Sequence, residues 1–83
     1  MKKHEEMLVI TMEECGELTQ ACSKVIRTKD DTKYVRKMQD EIGDVMLMIE
    51  ILKNNGYVTD KQIKDRMIEK KKKLVKWSLL FDG

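Results

Sequence analysis

No proline interrupts this chain, and glycine occurs only at Gly16, Gly43, Gly56 and Gly83. A sandwich or barrel of short strands needs turn chemistry every few residues, so breakers this sparse confine the sequence to long helices. Charged side chains make up 39% of the residues and aromatics 5%, a balance that suits helices with broad solvated faces. Two stretches carry punctuation. TKDDT (28–32) offers Asp30 and Asp31 as N-caps, and NNGYVTD (54–60) offers Gly56 as a C′ residue followed by Thr59 and Gln62 as a capping box. The spacing predicts helices over about 3–27, 31–55 and 60–80. The expected fold is all-α: an antiparallel helical bundle of about three helices per chain, completed into a four-helix-type bundle by oligomerisation. Residues 1–83 leave room for a single domain.

Stepping about 100° per residue places Met7, Thr11, Glu14, Leu18, Ala21, Cys22 and Val25 on one arc of the first helix. Glu14 falls in the middle of that arc and Glu17 at its edge, while Glu13 faces away with Gln20 and Lys24. The second helix gathers Tyr34, Val35, Met38, Ile42, Val45, Ile49 and Leu52 on one face, with Glu41, Asp44, Met48 and Ile51 in a stripe beside it. From Val45 to Leu52 it is apolar nearly all round, with Glu50 its one charge. A helix apolar on most sides is covered on most sides, and in a chain this small that cover is expected from another subunit. The third helix stacks Ile63, Met67, Lys70, Leu74, Trp77 and Phe81, so Lys70 takes a core slot. Arg66 and Lys73 flank it on one side and Lys71 on the other.

An acid on an apolar arc needs a physical reason, because a lone ionised carboxylate loses several kcal/mol on burial even after relaxation. Residues three apart face the same way on a helix, so Glu14/Glu17 and Glu41/Asp44 each form a two-toothed acidic comb. Four acids converging across a helix pair repel unless a divalent cation sits between them. All-oxygen ligands suit a hard ion, Mg²⁺ or Mn²⁺. The competing reading is an ordinary solvated helix surface. Glu13 alone fits it; Glu14 on its arc and Asp44 in its stripe do not. A di-iron carboxylate bundle would need Glu-x-x-His pairs, and the one histidine, His4, lies outside both combs.

Seventeen basic and fifteen acidic side chains leave a net charge of +2, which by itself implies no polyanion partner. The run KKKK at 70–73 lacks interleaved aromatics, so nucleic-acid binding is not expected. Cys15 and Cys22 are seven apart on one helical face and read as small core residues in a reducing compartment; zinc would need further ligands. With no signal peptide and no apolar run of about 20 residues, no membrane partner is expected and the location expected is cytoplasmic.

EExxE at 13–17, then ExxD at 41–44 with 23 residues between, resembles the MazG-like all-α nucleoside triphosphate pyrophosphohydrolases. That group is related to dimeric dUTPases and phosphoribosyl-ATP pyrophosphatases. GEL after the first acids and IGDV around the second share the resemblance, which is clearest over residues 8–55 and extends to about 77. It implies hydrolysis of a nucleoside triphosphate to the monophosphate and pyrophosphate with Mg²⁺ as cofactor, Mn²⁺ being possible. By motif position the metal ligands would be Glu14, Glu17, Glu41 and Asp44, with Glu13 a further acid that touches a second ion or orients water. Glu17 or Glu41 would take the proton from water. Lys70, Lys71 and Arg66 would meet the phosphates. Homodimers or homotetramers, in which helices of two chains complete each site, would be the assembled form. Against this stands a catalytically silent helical adaptor or oligomerisation module, in which neutralising Glu14 or Asp44 would stabilise the fold and change nothing else.

Overall fold

A computed structural model describes residues 1–81. Three helices follow one another, α1 (Lys3–Arg27), α2 (Thr32–Asn54) and α3 (Asp60–Trp77), with no strand among the described residues. The all-α expectation and the approximate placing of all three helices are met.

The helix ends show how the sequence sets the turns. α2 ends in a full Schellman motif: Gly56 at φ 81° donates its N–H to the Lys53 carbonyl at 3.1 Å, and Tyr57 donates to the Leu52 carbonyl at 3.0 Å. α3 starts with the expected capping box, Gln62 N–H to Thr59 Oγ1 at 3.1 Å and Thr59 N–H to Gln62 Oε1 at 3.0 Å. α1 closes with the same Schellman pattern but without glycine. Lys29, at φ 54°, donates to Ile26, and Asp30, at φ 63°, donates to Val25. Asp30 is therefore part of the left-handed exit from α1 and caps nothing. Asp31 alone caps α2, accepting from the Lys33 N–H at 2.9 Å. α3 stops at Trp77, three residues short of expectation. Ser78 is extended there, and its hydroxyl accepts the Leu80 N–H at 3.1 Å, a local bond that competes with helix continuation. Phe81 consequently leaves the α3 stripe.

α1 and α2 form an antiparallel hairpin. Lys24 lies over the Tyr34 ring near the turn, the acids meet at mid-length, and Met7 shares a hollow with Asn55, Gly56 and Tyr57 at the far end. α3 barely touches this pair. Its firmest tie is Lys53 Nζ to Asp60 Oδ1 at 2.6 Å, across the α2–α3 turn. The extents, 42 × 31 × 15 Å, are those of a single layer of helices, each about 10–12 Å thick.

A single layer explains each departure from the expected core. Among the described residues only Met7, Ala21, Met48 and Glu41 are buried. α2 turns its Glu41–Met48 stripe towards α1, so the more apolar neighbouring face is half-covered and Ile42 is exposed. Cys15 and Cys22, expected in the core, are exposed thiols, because nothing covers that side of α1. Lys70 occupies no core slot. It is exposed, as are Arg66, Lys71 and Lys73, because α3 has no neighbour along its length to form one. Met46 and Leu47 are 58% and 59% exposed and Trp77 79%, so apolar surface remains open on both α2 and α3. Among the described residues, no helix is long and apolar enough to cross a membrane.

Candidate metal centre

Glu14 and Glu17 project from successive turns of α1, Glu41 and Asp44 from successive turns of α2, and the antiparallel register brings the two combs face to face. Each of the four offers one carboxylate oxygen, and these oxygens all lie within 4.8 Å of one another. Burial is graded across the group. Glu41 is 4% exposed, Glu14 is half-buried, and Glu17 and Asp44 reach solvent.

Two features show that the cluster lacks internal compensation. Glu14 Oε2 and Glu41 Oε2 are both buried without a hydrogen-bond partner, a state that is unfavourable for an acceptor removed from water. The carboxyl of Glu14 is also pushed above the usual carboxylate range, first by desolvation, then by the charges of Glu17, Asp44 and Glu41. Among the described residues, the only cation paired with the four acids is Lys37, whose Nζ lies 3.4 Å from Glu41 Oε1. Lys37 is 67% exposed, so that pair is well screened. Four carboxylates, two orphaned inward-facing oxygens and one peripheral ammonium fit a hard divalent cation. The oxygen-only donor set matches Mg²⁺ or Mn²⁺ and disfavours zinc.

The other candidates stand elsewhere. Glu13 is exposed and outside the four-acid group, and Arg66, Lys70 and Lys71 are exposed on α3, with no salt bridge to the four acids among the described residues. The cations that do adjoin the acids were not apparent as a site from the sequence. Lys24, Arg27, Lys33, Arg36 and Lys37 line a groove of about 890 Å³ that runs from the hairpin turn to Glu17 and Glu41. They are scattered in the sequence, and only the tight turn at 28–31 brings the end of α1 beside the start of α2.

Residues 2–77 match the MazG nucleotide pyrophosphohydrolase domain family. No curated protein and no solved structure matches the chain.

Proposed function

Because the chain belongs to the MazG nucleotide pyrophosphohydrolase family, we propose that it hydrolyses nucleoside or deoxynucleoside triphosphates to the monophosphate and pyrophosphate, using Mg²⁺ or Mn²⁺. The observation that carries this reading is the pair of orphaned buried oxygens, Glu14 Oε2 and Glu41 Oε2, inside a four-carboxylate cluster. A fold that needed only stability would not retain them.

Glu14, Glu17, Glu41 and Asp44 would hold the ion. When bound, it neutralises phosphate charge and acidifies water. The chain's own residues supply the rest. Glu41, enclosed and braced by Lys37, anchors the cluster. Glu17, exposed where the cluster opens into the groove, is the carboxylate that incoming water reaches first, and it accepts the proton as water attacks phosphorus. The α–β anhydride breaks, and the bridging oxygen leaves with the pyrophosphate. Glu13, outside the four, orients water or touches a second ion.

Assembly completes the site. The open apolar surface at Met46, Leu47 and Trp77 favours a homodimer or homotetramer over an isolated single layer. Among the described residues Arg66, Lys70 and Lys71 make no salt bridge to the four acids of their own chain, and they meet phosphate across the contact between copies. The enzyme acts in the cytoplasm on nucleotide, with neither membrane nor nucleic acid as a partner.

The test is product identity. A panel of NTPs and dNTPs incubated with Mg²⁺ should yield monophosphate and pyrophosphate in equal amounts, and EDTA should stop the release. Orthophosphate as the sole phosphate product, or release indifferent to EDTA, would overturn the assignment.

A further inference from the structure

The groove beside the acids has an unusual charge state. Lys24, Arg27, Lys33, Arg36 and Lys37 line it against Glu17, Asp40 and Glu41. Of the five cations only Lys37 has a carboxylate within salt-bridge distance among the described residues, and that one is Glu41. The other four have no salt-bridge partner among the described residues. Two of them converge on one ring: Lys24 Nζ lies 5.3 Å and Lys33 Nζ 5.5 Å from the centre of Tyr34, which holds ammonium groups from both helices over the groove. Arg27 is held on the same rim by its Nε bond to the Ser23 carbonyl at 3.4 Å. Five cations against three carboxylates leave the groove net positive, which raises the local potential and favours an anion.

Position gives the groove its meaning. It opens from Glu17 and Glu41 towards the turn, whereas on the other side of the cluster the helix pair continues through the buried Met7 and Met48. The hollow at the Met7 end has Lys3 and His4 in its lining, whereas the turn side gathers five cations in a groove that reaches the acids themselves, so a ligand centred on the acids would meet the greater positive charge on the turn side. We propose that this α1–α2 groove binds the two terminal phosphates of the substrate, the group that leaves as pyrophosphate, and so directs the nucleoside towards the Met7/Met48 end. The assignment rests on the reading of the acids as a hydrolytic centre. It adds a phosphate site within a single chain, formed by Lys24, Arg27, Lys33 and Arg36 and distinct from the α3 cations. Guanidinium groups at Arg27 and Arg36 can engage phosphate oxygens in pairs, while Lys24 and Lys33 contribute point charges.

Inorganic pyrophosphate, titrated calorimetrically into the metal-free full chain, tests the site without requiring turnover. Wild-type protein should bind it, more weakly as salt is raised. Arg27→Gln/Arg36→Gln and Lys24→Gln/Lys33→Gln should each bind about tenfold more weakly, the loss expected when two exposed charge contacts are removed. Lys64→Gln, an exposed lysine on α3, should bind as wild type does, and far-UV dichroism should show all variants equally helical. No binding by the wild type, or binding by both double variants as tight as that of the wild type, overturns the groove. Parallel assays of nucleotide hydrolysis separate the two ideas. Hydrolysis with unchanged KM and unchanged pyrophosphate binding in the double variants removes the groove and leaves the enzyme. Groove-dependent binding without any hydrolysis keeps the anion site and removes the enzyme.

Discussion

Glu14 and Glu41 face one another across the α1–α2 pair, and each leaves its Oε2 buried with no hydrogen-bond donor. Two acids from different helices sharing such a place cannot be explained by packing, since apolar side chains of similar size would fill the seam at lower cost. Four carboxylates meet at this seam, and Lys37 is the one cation paired with them among the described residues.

Removing one of these acids should separate stability from activity. Glu41→Gln keeps the shape, relieves the repulsion and gives the seam an amide donor. The metal-free variant should melt higher than wild type by about 4–8 °C, corresponding to roughly 1 kcal/mol in a domain this small. Its hydrolysis of nucleotide should fall by at least about 100-fold, the scale of losing one preorganised polar group at a reacting centre. Differential scanning calorimetry with a turnover assay on the same samples reads both.

The raised pKa of Glu14 gives a pH dependence with a definite sign. The folded chain holds its proton to higher pH than the unfolded chain, whose carboxyl titrates near the ordinary value of 4.5. Between those two values the native state binds more protons, so stability falls as pH rises through the window and is regained on mild acidification. In the absence of metal, Glu14→Gln should therefore exceed wild type in melting midpoint at neutral pH, and the gap should close as pH falls towards the ordinary carboxylate range. Added Mg²⁺ should close it at neutral pH as well, by stabilising the wild type alone. A gap that widens on acidification would contradict this origin.

How far the acids could be read from the sequence depends on what sets their position. Glu14 was legible because helical stepping alone puts it among Met7, Leu18 and Ala21. The meeting of Glu41 and Asp44 with it followed from one short turn between two helices. Gly56 and the Thr59–Gln62 box were legible because each has local chemistry that admits few alternatives. Lys29 was not, since a left-handed lysine carries no compositional signal. Nor could the inward side of α2 be chosen, because two apolar stripes lie side by side and tertiary contact decides between them. Lys70, Cys15 and Cys22 were given core places on the premise of neighbours on every side. The single layer formed by one chain lacks them. The basic groove depends on the antiparallel register of two helix ends, which spacing within either helix does not reveal.

The two helical glycines of the acid motifs carry a further expectation. A Cβ at Gly16 or Gly43 would meet nothing within 4 Å, so no contact in the chain requires glycine there. Gly43→Ala should raise metal-free stability by about 1 kcal/mol through helix propensity. A loss of turnover in the same variant would place a second copy or the substrate against that spot, and unchanged turnover would leave it open to solvent.

Open apolar surface predicts association. Sedimentation equilibrium at micromolar protein should give a dimer or tetramer, and Leu47→Asp should shift it towards the monomer, because an ionised side chain would be buried in the contact. A wild-type monomer at those concentrations, with Leu47 59% exposed in solution, would remove the assembly and the role of the α3 cations across it.

The most direct measurement is Mn²⁺ binding by calorimetry, wild type beside Glu41→Gln and Asp44→Asn. A divalent-ion centre at the four carboxylates predicts saturable binding by the wild type, lost or weakened at least about tenfold in both variants. Saturable binding of equal strength in all three proteins, or none in the wild type at millimolar Mn²⁺, would contradict it.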